Sequence, residues 1–190
     1  MSLDYGGLSR QIDSMIRLNV LRNLEDLESS VEGVVEIITE TLNVERPRVI
    51  ATVNEVNECG RFDAGLCSTV MGLYVANNPT IIINYRANLI TLLHLLAHHL
   101  QALEVGRDRY VQVRDAEELR LPWDVRPLEV NATVRSIRLA KGIPQRVFKV
   151  WNEEVRPVSK RIEEAVNKVR ALMVHLSKGV ESAIANNWTY

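Results

Sequence analysis

The sequence predicts an α+β fold, mostly helical, in which a short antiparallel or mixed sheet packs on a buried helix and further helices are added at both ends. Three observations lead there. Apolar residues recur at three- and four-residue spacing over Leu8–Leu42 and again over about Val158–Asn186. Short β-prone runs bounded by turn residues stand between them. A helix-length stretch from about Ala87 to Val105 is apolar nearly all round, as a buried helix must be.

The first region carries Leu21, Leu24, Leu27, Val31, Val34, Val35 and Ile38 on one stripe and reads as one or two amphipathic helices, with Asn23 or Ser29-Ser30 as the place for a break. Arg48 to Val56 reads as a strand, since Val49, Ile50, Thr52 and Val53 are β-prone. Gly72 to Asn84 reads as two strands around the turn Asn77-Asn78-Pro79. The buried helix follows. A further helix starts near Arg126-Pro127, and Gly142-Ile-Pro144 ends it. Val147, Phe148, Val150 and Trp151 begin a new element that Pro157 should interrupt. The last helix has Ile162, Val166, Val169 and Leu172 on one face. The organisation expected is N-terminal helices over 1–45, a core over 46–142, and a C-terminal helical extension over 143–190 packed on that core. A homodimer contact is the second use open to the C-terminal stripe.

Composition narrows the function classes. The net charge is −1, so nothing argues for nucleic acid as a partner, and aromatic residues, 5% of the chain, are too few for a base-stacking surface. No run of eighteen apolar residues occurs, so no membrane partner is expected and the predicted location is the cytoplasm. Arg outnumbers Lys and Gln is scarce, a composition that hints at a thermophilic source. Cys59 and Cys67 are too far apart for a C-x-x-C motif. Free thiols suit an ordinary cytosol, and a disulfide stapling the Cys59–Cys67 loop suits a hyperthermophile.

The chemistry concentrates in Thr91-Leu-Leu-His-Leu-Leu-Ala-His-His-Leu-Gln101. On a helix His94 and His98 share a face, with Cβ atoms about 5–6 Å apart. That spacing lets two imidazoles meet one tetrahedral Zn²⁺. The bland alternative is a pair of core histidines bonded to backbone. Each would then need its own partner on an apolar helix, at a cost of about 1–3 kcal/mol for any left without one, whereas one shared ion satisfies both. His99 lies about 100° further round and does not share that face, so a core or supporting role suits it better. The same default applies to His175. Downstream, Arg126-Pro-Leu-Glu-Val-Asn-Ala132 offers Glu129 close behind Pro127, about thirty residues after the pair.

Together these residues resemble the zincin metallopeptidases of the gluzincin kind, in particular the small members called minigluzincins. There a strand pair leads into a helix carrying T-L-L-H-E-L-A-H-H-L-Q, and a later helix supplies a Glu within R-P-x-E-x-x-A. Thr91 to Gln101 matches the first pattern except at one position, and Arg126, Pro127, Glu129 and Ala132 match the second. The resemblance covers about Arg48 to Leu139. It implies a zincin-like core, Zn²⁺ held by His94, His98 and Glu129, and an extended peptide or protein segment laid along the edge strand near Leu73–Val75. It also suggests outer roles for His99, Arg126 and Tyr74, with Arg126 orienting Glu129 or meeting a substrate carbonyl. By the same analogy the tail Asn186–Tyr190 could fold back into the cleft.

The departure falls at Leu95, where the family has the Glu that acts as general base. Leucine cannot take a proton, and general acid–base assistance is typically worth about 10²–10⁴-fold. Glu104 stands about 280° round the helix from His94 and cannot substitute. Asp115, Glu117, Glu118 and Asp124 are expected in the connection between the metal helices, as outer partners of the ligands or as solvated charges. The resemblance thus implies a catalytically impaired relative, a pseudoenzyme serving as a peptide-binding or regulatory module. Two readings stay beside it: an active zinc-dependent hydrolase with a base from outside the helix, and a helical interaction protein with no metal.

Overall fold

The computed structural model describes the backbone of residues 5–59 and 67–187 and the side chains of residues 19–56, 70–171 and 174. The chain opens with one long helix, α1 (Tyr5–Leu42), unbroken at Asn23 and Ser29-Ser30. Asn23 turns its amide back onto the Asn19 carbonyl at 2.8 Å and so stays within the helix. Asn43 ends α1 in the left-handed conformation (φ 52°), which a short polar side chain tolerates, and Val44 N–H closes the turn onto the Thr39 carbonyl.

Five strands follow: β1 (Arg48–Thr52), β2 (Val56–Cys59), β3 (Cys67–Val70), β4 (Gly72–Val75) and β5 (Thr80–Asn84). The single strand expected over Arg48–Val56 is two, because the Thr52 hydroxyl accepts the Asn54 N–H and Asn84 pins the Asn54 carbonyl, folding the chain into a bend. β1, β5 and β4 form a mixed three-stranded sheet in that order, β1 parallel and β4 antiparallel to β5. β4 is therefore an edge. β2 and β3 make a separate hairpin whose register sets Cys59 opposite Cys67; the side chains at both positions lie outside the described residues, as do His175 and Trp188–Tyr190 of the tail.

α2 (Leu89–Val105) crosses the sheet beneath β4 and β5 and packs on α4 (Pro127–Gly142). Asn88 caps its start by accepting the Thr91 N–H, and Gly106, at φ 86°, turns the chain out of it where any Cβ would be strained. The turn leads directly into α3 (Arg107–Glu118), a helix where the sequence predicts only a connection. A single 3₁₀ turn, Trp123–Val125, then precedes α4.

The C-terminal region is continuous helix, in correction of the break expected at Pro157. α5 (Gln145–Val150) passes through a π-helical turn, Trp151–Val155, into α6 (Arg156–Asn187). Proline lacks the N–H an α ladder needs four residues on. Here it falls in the first turn of α6, just behind the wider π turn, where that bond is already displaced. α6 lies along α1, with Arg161 donating to Asn23 Oδ1 at 3.1 Å. Leu27, Val31, Val34 and Ile38 of α1 meet Val49, Ile81 and Ile83 of the sheet, Leu92 and Leu96 of α2, and Val155, Val158 and Ile162 in one core. Among the described residues, no helix is long and apolar enough to cross a membrane.

Candidate metal centre

Two helices build the site. α2 presents His94 and His98 one turn apart on the face toward α4, and α4 presents Glu129 from its first turn. Pro127 at the helix start spares an N–H that would find no partner there, and Glu117 Oε2 accepts the next one, from Leu128, at 3.1 Å. Glu129 is thereby held at the N-terminal end of α4, where a negative charge is favoured.

Three atoms converge. His94 Nε2 lies 3.1 Å from His98 Nε2 and 3.1 Å from Glu129 Oε2, and His98 Nε2 lies 3.3 Å from the same oxygen. Metal–ligand bonds of about 2.0–2.1 Å in a tetrahedral site put neighbouring ligand atoms about 3.3–3.4 Å apart, so this triangle has the size of one tetrahedral face. These three residues could hold a metal ion. Glu129 and His98 are buried, whereas His94 keeps partial exposure on the cleft side.

The surrounding hydrogen bonds fix what each nitrogen can do. Gln101 donates its amide to the Leu128 carbonyl (2.9 Å) and to Asn131 Oδ1 (3.0 Å), which turns its Oε1 toward His98 Nδ1 at 2.9 Å. A carbonyl oxygen only accepts, so the proton of neutral His98 sits on Nδ1 and its Nε2 presents a lone pair to the triangle. Tyr110 Oη stands 3.0 Å from the same Nδ1. Two acceptor atoms, His98 Nε2 and Glu129 Oε2, then face each other at 3.3 Å, an arrangement that asks for a cation or an added proton between them. Burial pushes the Glu129 carboxyl up, but the imidazoles of His94 and His98 beside it outweigh that and hold it at about 2.

The remaining residues singled out in the sequence take other places. His99 is fully buried on another face of α2, its Nε2 donating to the Glu45 carbonyl (2.7 Å) and its Nδ1 accepting from Tyr74 Oη (3.1 Å). Burial lowers its pKa, and both bonds suit the neutral ring. Tyr74 thus forms a wall of the cleft while its hydroxyl belongs to His99. Arg126 is buried, and its Nε donates to the Leu121 carbonyl at 3.2 Å, bracing the turn before α4. Glu104 faces away from the triangle, its two oxygens paired with Arg135 at 2.6 and 2.7 Å. Asp115, Glu117 and Glu118 belong to α3 and Asp124 to the 3₁₀ turn; none of them accepts from His94 or His98.

Leu95 is 4% exposed and packs on the bare backbone of Gly72 in β4. A cleft of about 370 Å³ opens between β4, α2, α3 and α4, with His94, His98 and Glu129 in its floor. Leu73, Ile90, Thr91, Trp123 and Thr133 contribute to its walls, and Glu129 is the one carboxylate among the described lining residues.

Gln101 and Tyr110 are the site residues the sequence reading missed. Gln101 was legible in principle, because i+3 from His98 lies on the same helical face. Tyr110 was not, since its approach depends on the turn at Gly106 that brings α3 back along α2. Compared with protein-family models, with curated proteins and with solved structures, the chain shows no match. The class the geometry defines is an α+β protein with a candidate three-ligand metal centre at the floor of an apolar cleft.

Proposed function

We propose that the chain is a zincin-like Zn²⁺-binding protein, related to the metallopeptidases but impaired in hydrolysis, that acts as a peptide-binding or regulatory module. The observation that carries this reading is the convergence of His94 Nε2, His98 Nε2 and Glu129 Oε2 beside a buried leucine. A mixed nitrogen–oxygen set of this size suits Zn²⁺, although other divalent ions share the preference. When bound, such an ion polarises a carbonyl and lowers the pKa of water.

What the chain's own residues do follows from their contacts. Gln101 orients His98, α4 delivers Glu129, and the edge of β4 leaves backbone groups on one side for an extended segment to pair with. Leu95 has no proton to give, and Glu129, the one carboxylate among the described lining residues, is committed to the two histidines. That favours binding over turnover, and weighs against a hydrolase drawing its base from elsewhere in the cleft.

Metal analysis of protein purified without added zinc, followed by zinc titration, tests the reading. One ion per chain, lost in His94→Ala and in Glu129→Ala, is the expected result. No uptake at micromolar zinc would leave a helical interaction protein with a structural histidine pair.

A further inference from the structure

Arg114 is the one arginine or lysine among the described residues that line the cleft. Its Nε is the only buried side-chain nitrogen or oxygen, among the described residues, without a hydrogen-bond partner. Glu118 Oε1 stands 3.4 Å from that nitrogen but is misdirected for a hydrogen bond, and Asp115 Oδ1 lies 3.8 Å from Nη2. The guanidinium is therefore held in place by two loose ion pairs, its Nε makes no directed hydrogen bond, and its partly exposed end is open to the cleft. Buried donors in folded proteins are nearly always satisfied, so an unmet one at the wall of a cleft calls for an explanation.

The rest of the cleft supplies the context. Met71, Ile90 and Trp123 are all between two-fifths and half exposed, large apolar side chains gathered around one opening. Exposed apolar groups clustered at a concave site mark a place where something binds. The cleft thus pairs apolar walls with one fork-shaped cation, and that fork matches a carboxylate.

The geometry points to a ligand that brings an apolar side chain and a free carboxylate together: the C-terminal residue of a peptide, its carboxylate on Arg114 and its side chain among Met71, Ile90 and Trp123. A chain terminus carries both groups on one Cα, which suits a space of about 370 Å³ better than two separate residues would. This assignment builds on the metal-binding reading for the orientation of the peptide but draws its selectivity from Arg114 alone. Glu118 competes with the ligand for the guanidinium and keeps the arm from swinging into solvent when the cleft is empty.

The experiment compares three peptides by calorimetry: N-acetyl-Ala-Ala-Leu as the free acid, the same peptide as its amide, and N-acetyl-Ala-Glu-Leu amide. Each is titrated into zinc-loaded and chelator-treated protein, into R114Q and R114K, and into E118Q. The free acid is expected to bind about tenfold more tightly than its amide, with the ratio falling to about twofold or less in R114Q and to an intermediate value in R114K, which keeps the charge without the fork. E118Q should tighten the free acid, an effect a merely structural arginine would not produce. An acid-to-amide ratio that survives in R114Q assigns the preference to the metal and overturns the inference, as does the absence of any preference. Equal binding of the glutamate-containing amide overturns the chain-terminus assignment in favour of an acidic side chain. A preference that depends on Arg114 in protein that takes up no zinc would sink the metal reading and leave this one standing. Thermal melts of the variants separate lost recognition from lost folding.

Discussion

Leu95 and Gly72 are fitted to each other: a methyl group placed on Gly72 would stand 2.6 Å from Leu95 Cδ1 and 2.8 Å from the Ile82 carbonyl oxygen. The helix that carries the histidines and the strand that edges the cleft meet here with no space between them. The residue that removes the expected base is also the residue that seals α2 against the sheet.

Gly72→Ala should therefore destabilise the fold by about 1–3 kcal/mol, the usual cost of overpacking. Trimming the neighbour in the double variant with Leu95→Ala should recover only part of it, because the Ile82 carbonyl cannot retreat as a side chain can. Urea denaturation of the two variants and of Leu95→Ala alone reads this directly.

Leu95→Glu places a carboxylate next to the triangle. Peptide cleavage by the zinc-loaded variant should exceed that of the parent by about 10²–10⁴-fold, the span general acid–base assistance supplies. Stability should fall at the same time, since the position is 4% exposed and a charge there loses its hydration. A fluorogenic peptide library reads the first effect and thermal melting the second. An unchanged, negligible turnover in a folded, zinc-loaded variant would argue that the missing base is not what limits hydrolysis.

Gln101→Leu deprives His98 Nδ1 of its carbonyl acceptor and releases the tautomer that aims Nε2 at the site. Zinc affinity should drop about 10–100-fold, the range typical of lost outer hydrogen bonds. Tyr110→Phe should cost less, because Gln101 still accepts the proton. Competition against a chromophoric chelator ranks the two variants.

Tyr74 provides the pH dependence. Burial pushes its hydroxyl up to about 12, with Arg107 pulling the other way and Glu45 adding to the rise. A pKa raised in the folded state means that the stability it contributes is complete below the unfolded value near 10 and drains away as pH climbs from 10 to about 12. Unfolding free energy measured between pH 9 and about 12 should fall more steeply in the parent than in Tyr74→Phe, and ultraviolet titration of the folded protein should show a late-ionising step that Tyr74→Phe removes.

How far the sequence could be read depended on the range of the forces involved. Local periodicity placed α1, the β4–β5 hairpin, α2 and the start of α4, because each is declared by neighbours within a turn or two. It also brought His94, His98 and Glu129 to attention, although only the packing of α2 on α4 puts their atoms together. The failures had non-local causes. α3 is polar over most of its surface and buries only Tyr110 among its residues, so it carries no apolar stripe to announce it. The bend at Thr52–Asn54 is held from thirty residues away by Asn84. Arg114 acquired its meaning only once Gly106 had turned α3 toward the cleft.

The π-helical turn at Trp151–Val155 acts as a splice of one surplus residue between two otherwise regular rods. A π turn takes five residues through about the rotation that four make in an α-helix, so the surplus is absorbed locally and the helix beyond Arg156 keeps the facing it would have without it. Val158 and Ile162 therefore stay inside the core, and Arg161 reaches Asn23. The long C-terminal rod thus docks on the N-terminal one across an inserted residue, and the loss of one codon at this irregular coil should disturb the molecule less than the same loss in a regular turn of either rod.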